Sequence, residues 1–109
     1  MAHIIIKTTK DDKKYYLVWS TVVDTFVTVI AGDSLEDYIK YDQGERGLRL
    51  FTMNYAERLE ETNTTNTRGE EDFYAHMEEY KTFDKPVKEE INFLIDEFER
   101  NPTQKFQYV

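Results

Sequence analysis

The chain is predicted to fold as an α+β domain, in which a small antiparallel sheet is packed by three or four helices. Three observations predict this class. Alternating β-branched and aromatic residues fill the first third of the chain, and amphipathic patterns with helical spacing follow it. The length of 109 residues suits a single hydrophobic core, so residues 1–109 are predicted to form one domain.

The predicted sheet consists of an N-terminal hairpin and a third strand. The run from His3 to Thr8 is β-branched, "KDDKK" is typical of a turn, and "YYLVWS" resumes the strand pattern. A third strand, "TFVTVIA", ends at Gly32, and strict alternation along it predicts that Phe26 and Val29 lie on opposite faces. Because both faces of the second strand carry bulky side chains, we expect helices on one face and a partner on the other.

Helical spacing replaces alternation after Asp33. "SLEDYIKYDQG" predicts a helix that ends at Gly44, and "ERGLRLFTMNYAERLEE" predicts a second, amphipathic helix. A third helix over "EEDFYAHMEEYKTF" would place Phe73, Met77 and Tyr80 on one stripe. The last helix has the clearest pattern, and "NP" at Asn101-Pro102 is predicted to end it. Its apolar stripe consists of Val87, Ile91, Leu94, Ile95 and Phe98.

Two further segments lack a helical pattern. Residues 62–69, "TNTTNTRG", are small and polar and are predicted to form a loop. The tail over 102–109 alternates Phe106 and Tyr108, which predicts either an edge strand or a flexible tail. A sheet this small has open edges, so we expect homo-oligomerisation or strand addition by a partner at an edge.

The charge balance limits the class of partner. Fourteen Lys and Arg against 22 Asp and Glu give a net charge of −8, which argues against direct binding to nucleic acid or anionic lipid. A protein with a basic surface is the better match. The chain has no cysteine, no apolar run long enough for a membrane span and no signal-like segment, so a cytoplasmic protein without a membrane partner is expected.

Catalytic and metal chemistry has little support in the sequence. The chain has two histidines and lacks the nucleophile-elbow, phosphate-loop and dinucleotide motifs, so no cofactor is expected. Asp72, His76 and Glu79 lie at i, i+4 and i+7 and are weak metal-ligand candidates. An acidic, solvated helix face explains the same pattern, and no fourth ligand is identifiable. A metal-dependent enzyme therefore ranks third among the hypotheses.

Two binding hypotheses rank higher. In the first, an acidic, tyrosine-rich surface with acidic residues on both sides of the polar loop faces a basic surface of a partner protein, as in a nucleic-acid mimic. These residues are Glu57, Glu60, Glu61, Glu70, Glu71 and Asp72. In the second, arginines bind the phosphates of a nucleotide signal while Trp19 or a tyrosine such as Tyr55 stacks on the base. The candidate arginines are Arg46, Arg49, Arg58 and Arg68.

A polar interruption follows the second predicted strand. Ser20, Thr21 and Asp24 break the apolar run where the chain must turn, and short polar side chains serve corners by bonding to the local backbone. Asp24 lies between Val23 and Phe26, where a buried carboxylate would need a partner. A structural role and a binding role both stay open for Asp24.

The run "YYLVWSTVVDTFVT" and the following "SLEDYIKYDQG" resemble stretches in small uncharacterised proteins encoded by bacteriophages. The products of such accessory regions tend to bind and disable host machinery or to sequester host signals. The resemblance covers about the first 45 residues and implies that context only; within it, we expect an inhibitor of a host protein, of anti-defence type, in the host cytoplasm. The alternative that it implies is a nucleotide-signal sponge, and it transfers no catalytic residue.

Overall fold

The computed structural model describes residues 3–101 and 103–109, and the predicted helix stop at Pro102 lies outside them. The described chain forms a four-stranded antiparallel sheet in the order β1-β2-β3-β4, together with four helices, which confirms the α+β class. The elements are β1 (His3–Lys10), β2 (Lys13–Ser20), β3 (Thr25–Ala31), α1 (Leu35–Asn54), α2 (Ala56–Thr62), α3 (Glu70–Tyr80), α4 (Val87–Glu99) and β4 (Phe106–Tyr108).

The β1–β2 hairpin closes through a two-residue turn. Asp11 and Asp12 have φ of 53° and 64°, and Lys10 pairs with Lys13 across the turn. Positive φ at both central residues is the geometry of a type I′ turn, which matches the twist of the flanking strands. Aspartate tolerates this region better than most residues do, so the predicted "KDDKK" turn forms without glycine.

A bulge in β3 changes which side chains share a face of the sheet. Leu17 pairs with Val29 and Trp19 pairs with Phe26, so β3 has one residue more than β2 between these pairs. Phe26 and Val29 consequently belong to the same core cluster. The predicted strict alternation, which placed them on opposite faces, is wrong because a single inserted residue reverses the alternation beyond it.

Helices cover both faces of the sheet. One core cluster joins residues of the sheet to α3 and α4, and a second joins the opposite face to α1 and α2. The expectation of helices on one face only is therefore wrong. Both faces of β2 are bulky and apolar, and this chain buries each of them with its own helices. All five residues of the predicted α4 stripe are buried, whereas Tyr80 of the predicted α3 stripe is 51% exposed.

The helix α1 is broken at Gly44, which has φ 77° and ψ −179°. The prediction that Gly44 ends a helix is right about this backbone break, although a second helical segment follows it directly. Tyr38 and Ile39 before the break and Phe51 after it are buried in the same core cluster. The predicted second amphipathic helix is itself divided at Tyr55, between α1 and α2.

The two edges of the sheet differ in how they are covered. The loop after α2 lies along β1, where Lys7 N donates to Asn63 O at 2.9 Å and Thr65 N donates to Ile5 O at 3.0 Å. Ile5 N in turn donates to Thr65 Oγ1 at 3.0 Å. At the other edge, the tail forms β4, which confirms the edge-strand alternative. No helix in the described part of the chain is long and apolar enough to cross a bilayer.

Candidate binding surface

Aromatic side chains cluster where α1 meets the edge strand β4. Together with one carboxylate they form what we call the tyrosine surface, which consists of Tyr38, Tyr41, Asp42, Phe106 and Tyr108. The ring centroid of Phe106 lies 5.3 Å from that of Tyr38 and 5.4 Å from that of Tyr41. Tyr41 is 70% exposed and Tyr108 is 52% exposed. Large aromatic area therefore stays accessible to solvent beside a sheet edge.

Local structure on both elements produces this cluster. Tyr38 and Tyr41 are three residues apart on α1, so they share one side of the helix. Phe106 and Tyr108 are two apart on β4, so they share one face of the sheet. Their pairing partners on β3 are Ile30 and Thr28. Because α1 covers this face, the two aromatic pairs meet.

Asp42 has no cationic partner within the described chain. Lys40 on α1 and Lys105, which directly precedes β4, pair with other carboxylates, since Lys40 Nζ lies 3.5 Å from Glu45 Oε1 and Lys105 Nζ lies 3.2 Å from Asp37 Oδ2. Asp42 and Arg46 are four apart, the spacing at which helical side chains pair. Gly44 breaks the helix between them, and no ion pair forms. The carboxylate is thus available to a cation from outside.

The hydroxyl groups of Tyr38 and Tyr108 remain protonated at neutral pH, because the pKa of each is raised. Burial raises the pKa of Tyr38, the hydroxyl of Thr28 opposes this rise, and the charge of Asp42 adds to it. Burial also raises the pKa of Tyr108, with further contributions from Asp42 and Tyr41. The Thr28 hydroxyl is fully buried and makes no hydrogen bond of ordinary geometry with a described residue. The negative charge of this surface therefore comes from Asp42.

A cavity of about 200 Å³ adjoins the tyrosine surface, between α1 and the strands β1 and β2. We call it the α1 pocket. Its buried apolar lining includes Ile5, Val18, Ile39 and Phe51. Its more accessible polar lining is formed by His3, Asp42, Gln43 and Asn54. Tyr38 and Asp42 belong to both the pocket and the tyrosine surface, so the two features are continuous.

The structure places the predicted stacking residues in different environments. Trp19 is fully buried and packs against the rings of Phe26, Phe73 and Phe83 at centroid distances of 5.0, 6.3 and 6.2 Å. No face of its indole is open, so the proposal that a base stacks on Trp19 is corrected. Tyr55 is half-buried, stacks on Phe51 and lines the α1 pocket, which leaves it adjacent to the candidate surface.

The four predicted phosphate-binding arginines do not converge. Arg46 and Arg49 are exposed on α1. Arg58 Nη1 donates to Thr65 O at 3.4 Å, which ties it to the loop along β1. Arg68 lines a separate groove with Ile4 and Phe73, which belong to the opposite face of the sheet. A single phosphate site that uses these arginines is therefore absent from the described chain.

Asp24 closes the corner between β2 and β3. It has φ 54°, and its N–H donates to Ser20 O at 2.8 Å. Its carbonyl oxygen accepts from Thr82 N at 3.2 Å, which fixes the segment that follows α3. Aspartate is one of the residues that tolerate a left-handed conformation. Both contacts are made by backbone atoms, so the positive φ is what favours aspartate at this corner, and the role of its carboxylate stays a prediction.

The metal-ligand candidates on α3 do not form a site. His76 lies between two rings, with centroid distances of 6.0 Å to Phe73 and 4.8 Å to Tyr80. Asp72 and Glu79 are exposed. Within residues 3–101 and 103–109, no three His, Asp or Glu side chains are grouped so that they could hold a metal ion.

One member of the predicted acidic clusters has a structural task. Glu60 accepts a hydrogen bond from Tyr16 Oη at 2.7 Å and from Lys14 Nζ at 3.3 Å, which ties α2 to the hairpin. Burial acts to raise the pKa of Glu60, but the hydrogen bonds from Tyr16 and Lys14 outweigh it and the pKa is lowered. On the other face, Tyr15 Oη donates to Glu99 Oε2 at 2.9 Å. The adjacent residues Tyr15 and Tyr16 of β2 thus bind helices on opposite faces of the sheet, Tyr15 to α4 and Tyr16 to α2.

A tyrosine-rich acidic surface is predictable from the sequence, but the residues that form it are not. His3, Tyr41 and Asp42 carry no sequence signal for binding, and Phe106 and Tyr108 show only the alternation of a strand. Their spacing within α1 and β4 is visible in the sequence, but the pairing of β4 with β3 is not. Comparison of the chain with protein-family models, with curated proteins and with solved structures gives no significant match.

Proposed function

We propose that the protein is a small acidic binding protein that docks through the tyrosine surface onto a basic surface of another protein. The observation that carries the proposal is the exposure of Tyr41 and Tyr108 around Asp42, a carboxylate without a cation in the described chain. The phage resemblance would make the target a host protein in the host cytoplasm, and the binding an inhibition.

The composition of this surface suits a cationic partner. The faces of tyrosine rings attract lysine and arginine side chains, and a carboxylate adds a charge-assisted hydrogen bond. Tyrosine is also enriched at the centres of protein interfaces, because it buries a large rigid area. The net charge of −8 would steer a basic partner towards the molecule. Affinity and association rate thus favour the same class of partner.

The nucleotide hypothesis has weaker support. Trp19 is buried, the four arginines lie apart, and the α1 pocket of about 200 Å³ is smaller than the usual ligand pocket of roughly 300–1,000 Å³. Thermal stabilisation of the protein by a nucleotide would revive this hypothesis.

Selection from a randomised linear peptide library tests the proposed function without knowledge of the target. We expect the selected peptides to be basic and to bind less tightly as salt is raised to about 1 M, where the Debye length falls to about 3 Å. Binding should be lost in a Tyr41→Ala/Tyr108→Ala variant. Tyr80→Ala is the matched control, because Tyr80 is 51% exposed against 52% for Tyr108 and lies on α3.

Three results would contradict the proposal. Selected peptides could lack basic residues, or bind independently of salt, or bind the Tyr41→Ala/Tyr108→Ala variant as tightly as the unaltered protein. Circular dichroism of each variant would show whether a loss of binding reflects a loss of fold.

A further inference from the structure

We propose that the α1 pocket receives one arginine side chain of the partner, which serves as the anchor of the complex. This inference rests on the proposed function and names the chemical group that the surface recognises. It depends on the size of the pocket, on the arrangement of its lining and on the unpaired state of Asp42.

The size of the pocket selects a single side chain. Its volume of about 200 Å³ lies below the range of roughly 300–1,000 Å³ that is typical for drug-sized ligands and cofactors. Binding energy at protein interfaces is concentrated in a few anchor side chains that fill pockets, and tryptophan, tyrosine and arginine are enriched among them. The pocket borders the exposed rings of the tyrosine surface, so an anchor inserted here would lie within the proposed interface.

The lining of the pocket selects arginine among these anchors. The apolar residues Ile39 and Phe51 suit the methylene stem of a long side chain, which arginine buries while its charged end stays near solvent. The carboxylate of Asp42 and the side-chain carbonyl groups of Gln43 and Asn54 offer acceptors at the more accessible part of the lining. Guanidinium has five N–H donors in a fixed plane, so it can bond to several of these acceptors together.

The distribution of charge agrees with this assignment. Asp42 is the one carboxylate in the described lining, and that lining contains neither lysine nor arginine. Arg46 and Arg49 lie on the same helix but do not line the pocket. A tryptophan or tyrosine anchor would fill the apolar part and leave Asp42 without a counter-charge. An arginine provides both the apolar contact and the cation.

Titration of isotope-labelled protein with N-acetyl-arginine amide, followed by NMR, tests the anchor directly. We expect shifts at Ile5, Ile39 and Phe51, together with nuclear Overhauser contacts between the side-chain methylenes and Phe51. N-acetyl-citrulline amide has nearly the same shape without the charge, and should bind about fivefold more weakly, which is the scale of an exposed ion pair. Asp42→Asn should lower arginine binding to the citrulline level. Glu36→Gln, which removes one charge from the same helix outside this pocket, should leave it unchanged.

The outcomes separate this inference from the proposed function. Equal binding of the arginine and citrulline probes, preference for N-acetyl-phenylalanine amide, or shifts confined to another surface would each overturn the arginine anchor. If a selected basic peptide still binds through Tyr41 and Tyr108 in that case, the proposed function survives alone. If arginine binds in the pocket but no basic peptide is selected, the pocket remains a guanidinium site and the proposed function fails.

Discussion

Replacement of Gly44 by alanine should destabilise the protein through the backbone alone. Gly44 has φ 77° and ψ −179°, a region that is essentially restricted to glycine, and holding another residue there costs about 1–3 kcal/mol. A Cβ at this position would meet no atom within 4 Å, so steric contact adds nothing to the cost. We therefore expect Gly44→Ala to lower the free energy of unfolding by about 1–3 kcal/mol.

Straightening of α1 would not remove this cost. Alanine favours a regular helix over glycine by about 1 kcal/mol, but a continuous helix cannot keep Ile39 and Phe51 in their present positions in one core. Loss of one such side chain from the core costs about 1.5–3 kcal/mol, which exceeds the gain. The break at Gly44 also separates Asp42 and Gln43 from the later pocket residues, so the arginine probe should bind less tightly to the variant.

The assay is urea denaturation of chains that carry either L-alanine or D-alanine at position 44, made by chemical ligation. D-alanine adopts this backbone geometry without strain and restricts the unfolded chain, so it should be as stable as the native protein or more stable by about 0.4–1 kcal/mol. The dependence of unfolding free energy on urea should be the same for both. Equal stability of the L-alanine and D-alanine chains would refute the positive φ at position 44, and with it the explanation that this backbone geometry breaks α1.

Three further changes test the sheet and its contacts. Asp12→Gly should raise the free energy of unfolding by about 1 kcal/mol, because glycine removes the strain of a non-glycine residue at positive φ, roughly 1–3 kcal/mol, while its greater freedom in the unfolded chain offsets part of that gain; a lower urea midpoint would contradict the type I′ turn. Thr65→Val should cost about 1–3 kcal/mol in the same assay, because Ile5 N loses its buried acceptor; a cost near zero would show that the loop does not cap β1. Burial, with Glu99 as a further cause, raises the pKa of Tyr15 from 10.0 to about 12. The contribution of the Tyr15 hydroxyl to the free energy of unfolding should therefore be complete below pH 10 and decline as the pH rises towards 12. Tyr15→Phe should make that alkaline decline shallower, and an unchanged pH profile would contradict the buried hydroxyl.

The parts of the fold that were predictable depend on local pattern. The apolar stripe of α4 and the strand pattern of β1 and β2 follow from residue spacing, and the burial of each element confirms them. The loop after α2 was predictable from its polar composition, although Thr62, its predicted first residue, is the last residue of α2. Its contact with β1 was not, because hydrogen bonds between distant backbone segments leave no periodic signal.

The candidate site was less predictable for physical reasons that particular residues show. A tryptophan such as Trp19 can either stack on a base or fill a hydrophobic core. Trp19 fills the core because the bulge in β3 and the helices α3 and α4 bury it on their face of the sheet. Tyr38 and Phe106 lie far apart in the sequence and meet because β4 returns to the sheet. Asp42 is one of 22 acidic residues, and its lack of a partner becomes visible only when the other ion pairs are known.

The central claim is that the tyrosine surface binds a basic partner. The most direct test is the affinity of a selected basic peptide for the native protein, for Tyr41→Ala/Tyr108→Ala and for Tyr80→Ala, measured by calorimetry at low salt. We predict a loss of at least about tenfold for the double variant, equivalent to 1.4 kcal/mol, and native affinity for Tyr80→Ala. Equal affinity for all three proteins would contradict the claim.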